Sequence, residues 1–405
     1  MFPSALEGTR VLDLTNNVAG PFASMILADL GAEVIKVERP VLGDDTRRWG
    51  PPFWNDESPS FLALNRNKRS VALDLKSSGG MEVLHRLVST SDVLLENFTV
   101  RAVNRLGLDF ESVCGIRPDI VYCEMGGYGG TGPVSEQPAY DAMMQAYSGV
   151  MSLAGEDGRV PVRVPVSVLD QGTGMWAANA ILAALLMRSR TGRGAKLQTS
   201  LLHTALMWMP AQIGGFHGSG RLPERHGSGL SSVVPYQAFA ASDGHIVVAA
   251  GNDRLFGLLC DALGHPEWGH DKRFATNPDR VHHRDVLLSL LAGELERSTV
   301  ADWTVRLEAA GVPVAPVRTI DQVLEDPHVV STGFVAEGEH PRIPGYRYVT
   351  LPVSVDGERS PLRLPPPRIG EDTRAVLDEL EYSNEDIATL AKVGAIGLGE
   401  EGDGG

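Results

Sequence analysis

At 405 residues the chain has room for two or three domains, each able to bury a core of its own. Its 51 acidic residues against 36 lysines and arginines give a formal charge of −15, which argues against nucleic acid as a bulk partner while leaving room for an anionic ligand where basic residues gather. The longest nearly apolar run, Met175 to Met187, contains Asn179 and stops at Arg188, too short for a membrane span, and the scattered Cys114, Cys123 and Cys260 offer neither a disulfide framework nor zinc spacing, as expected in a reducing cytoplasm.

Met1 to Glu7 has neither the basic start nor the apolar core of a secretory signal. Arg10 to Leu14 reads as a strand, Pro21 as the first residue of a helix running through Leu30, and Glu33 to Val37 as a second strand. This βαβ unit implies a parallel sheet. The alternation continues with helices at Met81–Ser89 and Asp109–Ile116 and strands at Asp92–Leu95 and Ile120–Glu124, predicting a doubly wound α/β domain. Gly214 to Gly229 reads as a linker or mobile loop. Beyond it, strands at Val233–Ala240 and His245–Ala250, with helices at Arg254–Leu263 and Arg284–Glu296, predict a smaller α+β domain. Extended chain at Pro361–Pro367 leads to an amphipathic pair, Thr373–Leu380 and Ser383–Lys392, and a frayed Gly-rich tail. The domain division drawn from this pattern is 1–226, 227–330 and a return segment 331–405.

One segment stands out for chemistry. Asp170 is expected where an extended strand, Val164 to Leu169, gives way to a long apolar helix. Helix amides and dipole should keep its carboxylate ionised, and an ionised carboxylate can act as a nucleophile. Capping is the commoner role for Asp in such a place. Gly172 and Gly174 permit close approach. The loop Thr15 to Pro21 also faces a helix start, a place suited to phosphate or carboxylate, but it lacks the glycine fingerprint for a dinucleotide. Arg39, Lys68, Arg69, Lys76, Arg101 and Arg105 are by default solvated surface, although a parallel sheet gathers the carboxyl ends of its strands. The glycine run Gly126 to Gly132 could cradle a ligand or form a surface turn. The histidines show no metal-ligand spacing, and no metal is expected.

The order and spacing of several short motifs resemble the class III CoA-transferases, the family that includes formyl-CoA, carnitine and succinyl-CoA transferases and the α-methylacyl-CoA racemases. The motifs are Leu6 to Thr15, Ala19-Gly-Pro21, Leu30 to Arg39, Asn65 to Ser70, Leu73 to Lys76, Asp92 to Phe98, Arg105-Leu-Gly107, Tyr140-Asp141 with Gln145-Ala146, Asp170 with its helix, Thr191 to Gly194, and Ser242-Asp-Gly244. The resemblance implies a Rossmann-like large domain with a parallel sheet, built from both chain ends, a smaller α+β domain, and an interlocked homodimer. It implies Asp170 as the nucleophile, and coenzyme A contacts at Val18, Arg39, Lys76, Asn97, Phe98 and Arg105. It also places Trp49 and Tyr140 in the acyl pocket. CoA and acyl-CoA are then substrates, with no permanently bound cofactor, and a carboxylic acid is the second partner. The formyl branch has glutamine where this chain has Val18 and a richer glycine loop than Gly227-Ser228-Gly229, so formyl or oxalyl specificity does not follow. The racemase branch has a histidine where this chain has Tyr140. A phenol with an ordinary pKa near 10 is a poor proton shuttle at neutral pH, which favours transfer over racemisation. Asp141 as a substitute base keeps the racemase alternative open, and a non-catalytic CoA-binding protein is the third reading.

Overall fold

The computed structural model describes residues 4–399. The expectations for Met1–Pro3 and for the tail beyond Gly399 lie outside the described residues. By compactness the chain divides into two units. One joins Met1–Ser148, Pro165–Trp208 and His328–Gly405; the other joins Gly149–Val164 to Met209–Pro327.

The first unit is built on a seven-stranded sheet among the described residues. In chain order its main elements are β1 (Arg10–Asp13), α1 (Ala19–Asp29), β2 (Glu33–Glu38), β3 (Lys68–Leu73), α2 (Ser78–Ser89), β4 (Val93–Glu96), α3 (Val100–Leu106), α4 (Phe110–Ile116), β5 (Val121–Gly126), α5 (Asp141–Tyr147), α6 (Val168–Thr191), β6 (Ala195–Ser200) and α7 (Leu201–Met207). The strands lie in the order β3-β2-β1-β4-β5-β6, all parallel. A short C-terminal strand, Ile396–Gly397, adds antiparallel to β3. The chain moves outward from β1 in one direction through β2 and β3, then returns to add β4, β5 and β6 on the other side. The loops that follow β1 and β4 therefore part company at their carboxyl ends, leaving the crevice where open α/β sheets bind ligands.

Strand periodicity builds a core on each face of this sheet. Leu12, Ile35, Val71 and Leu94 point to one face with Val83, Leu84 and Leu87 of α2, joined by Val376 and Leu377 from the C-terminal helix Thr373–Glu379. Their neighbours Val11, Val34, Val93 and Val121 point to the other, against Ala23 and Leu27 of α1 and Ala177, Ala178 and Ile181 of α6. Each large aliphatic side chain fully buried this way contributes about 1.5–3 kcal/mol. Small residues let α1 and α6 approach closely. A Cβ built on Gly174 would stand 2.6 Å from the Ala19 carbonyl oxygen, and one on Gly172 would stand 2.2 Å from the Trp208 ring. These glycines thus admit protein neighbours.

Several local expectations change. Helix α1 begins at Ala19, two residues ahead of Pro21. Strand β3, which opens with Lys-Arg-Ser, and strand β6, which carries only two apolar residues, are additions to the expected strands. The segment before α6 is irregular, so Asp170 is the third residue of a helix capped at Ser167 and does not end a strand. In the second unit, Pro210–Ser219 is helical across the first part of the expected loop. That unit's three-stranded antiparallel sheet places Gly244–Ala249 between Tyr236–Ala241 and Val314–Pro316. Its core includes Phe256, Leu259, Leu287, Leu291 and Trp303, from helices Asp253–Leu263, Arg284–Leu295 and Val300–Ala309.

Candidate active site

The crevice after β1 and β4 is held open by hydrogen bonds that only an amide side chain can make. Asn97 accepts the Asn16 backbone N–H at 3.0 Å and donates to the Asn16 carbonyl at 2.8 Å. Asn16 in turn donates to Asp45 at 2.7 Å and accepts the Asp45 amide at 3.0 Å. Beneath this loop lies a layer of buried charge. Lys36 bonds the Thr15 carbonyl at 3.0 Å and pairs with Asp44 at 2.9 Å. Lys68, only 1% exposed, reaches Asp13 at 3.2 Å, the Pro21 carbonyl at 2.9 Å and Asn65 at 2.8 Å. Burial works against the ionised form of Asp13, but Lys36, Lys68 and the Ser24 and Thr15 hydroxyls together hold it well below the usual carboxylate range. Burial lowers Lys68 to about 8, against the pull of Asp13. Lys68 and Arg69 therefore leave the expected surface set. Lys68 is internal, and Arg69 pairs with Glu33 and Glu379.

Two cavities open on the crevice. The larger, about 680 Å³, is lined by Arg39, Lys76, Asn97, Phe98 and Arg105. The smaller, about 220 Å³, is lined by Val18, Trp49, Asn97, Phe98, Tyr140 and Asp170. They share Asn16, Asn17, Asn97, Phe98 and Thr99. The sequence-predicted residues thus fall on two adjoining cavities with Asn97 and Phe98 common to both, whereas Arg101 lines neither. Arg39 is tethered to the Gly43 carbonyl and pairs with Asp45 at 2.6 Å. Lys76 and Arg105 are exposed and make no ion pair among the described residues. The glycine run also contributes to the smaller cavity, through Gly126, Gly127 and Gly129.

Asp170 differs from its expectation in electrostatics. A helix start leaves its first amides without partners, and here a second carboxylate claims them. Asp141, the first residue of α5 and 5% exposed, accepts the N–H groups of Leu169 at 2.8 Å and Asp170 at 3.2 Å on one oxygen. Its other oxygen accepts from Gln145 at 2.5 Å. The amides expected to hold Asp170 ionised are spent on its neighbour. Burial, and then the Asp141 charge, push Asp170 up to about 7. At neutral pH Asp170 is therefore poised between acid and carboxylate. Asp141 lines neither cavity. Sequence reasoning flagged Asp141 as a substitute base and missed its role as a cap, because 29 residues separate it from Asp170. It also missed Asp44 and Lys36.

The sequence profile of CoA-transferase family III matches residues 6–373. The chain is 39% identical over 399 residues to human succinyl-CoA:glutarate CoA-transferase, covering 96% of this chain and 90% of that protein. It is 38% identical over 387 residues to succinate–glutarate CoA-transferase of Agrobacterium fabrum, covering 93% and 96% of the two chains. A CAIB/BAIF family protein from Brucella suis superposes with a TM-score of 0.84 at 37% identity, over 93% of this chain and 99% of that one. Similarity to transferases over nearly the whole chain, together with a half-buried carboxyl beside a cation-lined crevice, leads to one assignment: the chain belongs to CoA-transferase family III and is an enzyme of that family.

Proposed function

We propose that this enzyme moves coenzyme A from a short dicarboxylic acyl-CoA to a free carboxylic acid, with Asp170 as covalent nucleophile. One observation carries the reading. Asp170 is a half-buried, pKa-shifted carboxyl lining a small cavity that adjoins a larger one bearing Arg39, Lys76 and Arg105. The larger cavity suits the phosphates of CoA, because Lys76 and Arg105 offer charge without a competing internal partner. Phe98, common to both cavities, offers an apolar face along the path. Trp49 and Tyr140 would surround the acyl group. The succinyl and glutarate named in two relatives suggest the size and charge of the acids.

The Asp170 carboxylate attacks the thioester carbonyl, the C–S bond breaks, and CoA thiolate leaves an acyl-aspartyl anhydride. The thiolate attacks the aspartyl carbonyl, releasing the donor acid and giving an aspartyl-CoA thioester. The acceptor carboxylate attacks that carbonyl, expelling thiolate and forming a second anhydride. Thiolate then attacks the acceptor acyl carbon, yielding the new acyl-CoA and free Asp170. Holding CoA and acid together supplies much of the rate, and a carboxyl titrating near neutrality is matched to work both as nucleophile and as leaving group.

Proton exchange at an α-carbon needs a second base of matched pKa. Both oxygens of Asp141 are engaged by helix amides and Gln145, which favours transfer over racemisation. We further propose a homodimer, since α6 leaves Met175, Trp176, Leu186 and Met187 about half exposed, and a cytoplasmic location, in keeping with three free thiols. The test of catalysis uses succinyl-CoA with isotopically labelled glutarate. Transfer of CoA to the labelled acid is expected, with an aspartyl-CoA adduct at Asp170 trapped by mass spectrometry. Asp170→Ala should reduce turnover at least a thousandfold while CoA still binds. Near-normal turnover in that variant, or deuterium entering the α-carbon of 2-methylacyl-CoA at a catalytic rate, would sink the mechanism.

A further inference from the structure

Glu96 ends β4, one residue before Asn97, and has no part in the steps above. It is 1% exposed. Its Oε2 accepts the Phe98 backbone N–H at 2.8 Å. Its Oε1 lies 3.1 Å from the Tyr122 hydroxyl, which is itself 2.8 Å from the Leu108 carbonyl oxygen. These contacts join the two ends of one segment. Phe98 stands at its start, Leu108 at its end, and α3 between them. The segment gives the larger cavity Asn97, Phe98, Thr99, Ala102, Arg105 and Leu106.

Counting protons exposes a conflict. The Tyr122 hydroxyl has one proton, and an ionised Glu96 and the Leu108 carbonyl both want it. One buried acceptor would then go without its partner, which costs more than an ordinary hydrogen bond gains. A neutral Glu96 removes the conflict. Its O–H donates to Tyr122, Tyr122 donates to Leu108, and the remaining carboxyl oxygen still accepts from Phe98. The surroundings point the same way. Burial pushes Glu96 up to about 7, with Glu124 on β5 adding to the rise, while the Phe98 amide, the Tyr122 hydroxyl and Lys196 on β6 oppose it. Lys196 lies 3.3 Å from Glu124, which offsets part of its pull. Burial and Glu96 push Tyr122 well above the usual phenol range, so it stays protonated. The Cys123 thiol, next along β5, is pushed up to about 12 by burial and stays neutral too.

We propose that Glu96 and Tyr122 are positioning residues that staple both ends of the segment Asn97–Leu108, and that the neutral form of Glu96 is the one that binds CoA more tightly. The proposal rests on the CoA reading of the larger cavity. The test is made in the full chain carrying Asp170→Ala, which removes the other titrating carboxyl, with CoA itself as ligand. Glu96→Gln reproduces the neutral acid, since its amide donates to Tyr122 and its carbonyl accepts from Phe98. Calorimetric CoA affinities of the two chains should agree at pH 6. By pH 8.5 the Glu96 chain should bind about fivefold more weakly than the Gln chain, the worth of one hydrogen bond. Taking the ratio cancels the titration of CoA's own phosphates. In the Glu96 chain at pH 8, binding measured in two buffers of different ionisation enthalpy should take up a fraction of a proton. Tyr122→Phe should weaken binding already at pH 6. A ratio that stays flat with pH, with no proton uptake, would overturn the relay. If none of these chains binds CoA at any pH, the CoA reading of the cavity falls first and takes the relay with it.

Discussion

Two sets of cations lie within the first 105 residues of the sequence and behave as opposites. Lys36 and Lys68 are fully buried, each with a carboxylate and backbone or amide oxygens around its ammonium. Lys76 and Arg105 sit at the surface of a cavity without an acidic partner among the described residues. A buried charge without a partner is intolerable, so the first set is committed to the protein. An exposed charge has no such obligation and remains available. Arg39 is intermediate, facing the cavity while held by Asp45. Which cations are committed to the fold and which stay available to a ligand is thus decided by desolvation, and residue type does not distinguish them.

The contrast is tested most severely at Lys68. Lys68→Ala leaves Asp13 buried and short of a counter-charge, and should destabilise the protein by about 3–5 kcal/mol in chemical denaturation. Lys76→Ala should change stability by roughly 0.5 kcal/mol or less. Similar losses in the two variants would erase the distinction. At the next level, Lys76→Ala and Arg105→Ala should each weaken CoA binding about tenfold to a hundredfold, with an unchanged melting temperature. Arg39→Ala should weaken it less, because Asp45 already neutralises part of its charge. Equal effects at all three positions would show that the internal tether does not matter.

The smallest effect concerns the anionic counterpart of these sites. The nucleophile role proposed for Asp170 requires the ionised form, and its carboxyl is raised to about 7, so on that proposal kcat/KM should fall as pH drops below that value and level off above it. Asp141→Asn removes the neighbouring negative charge while its amide oxygen can still accept the Leu169 and Asp170 N–H groups. The acid limb should therefore move to lower pH with little change in the plateau. A limb that stays in place would assign the shift to burial alone.

Much of the sheet was legible because buried parallel strands are apolar on both faces, as Val11-Leu12 and Val93-Leu94-Leu95 show. Strand β3 escaped because it opens Lys-Arg-Ser, and nothing local says that Lys68 will find Asp13, 55 positions away. Strand β6 escaped because it lies at the sheet edge and carries only two apolar residues, Ala195 and Leu197, so its short alternation is easily overlooked. Gly214–Ser219 reads as the start of a loop because it contains Gly214, Gly215 and Gly218, yet it completes the helix Pro210–Ser219. At the site, the positions carried by motif spacing came together around the crevice, whereas the ionisation of Asp170 was misjudged. Its helix amides were counted as its own, and only the folded chain brings Asp141 to them.

Gly174 touches neither cavity, yet any side chain there would collide with the backbone of Ala19, next to the loop that carries Asn16, Asn17 and Val18. Larger substitutions at Gly174 would push α1 and the crevice apart together. In a saturation-mutagenesis screen scored only by growth or product formation, Gly174 would then be indistinguishable from a residue that performs chemistry. For anyone reshaping this enzyme toward bulkier acids, the same contact sets a boundary: the wall formed by α1 and α6 cannot be moved outward one residue at a time, and new volume would have to come from the proposed acyl pocket around Trp49 and Tyr140, which are 41% and 58% exposed.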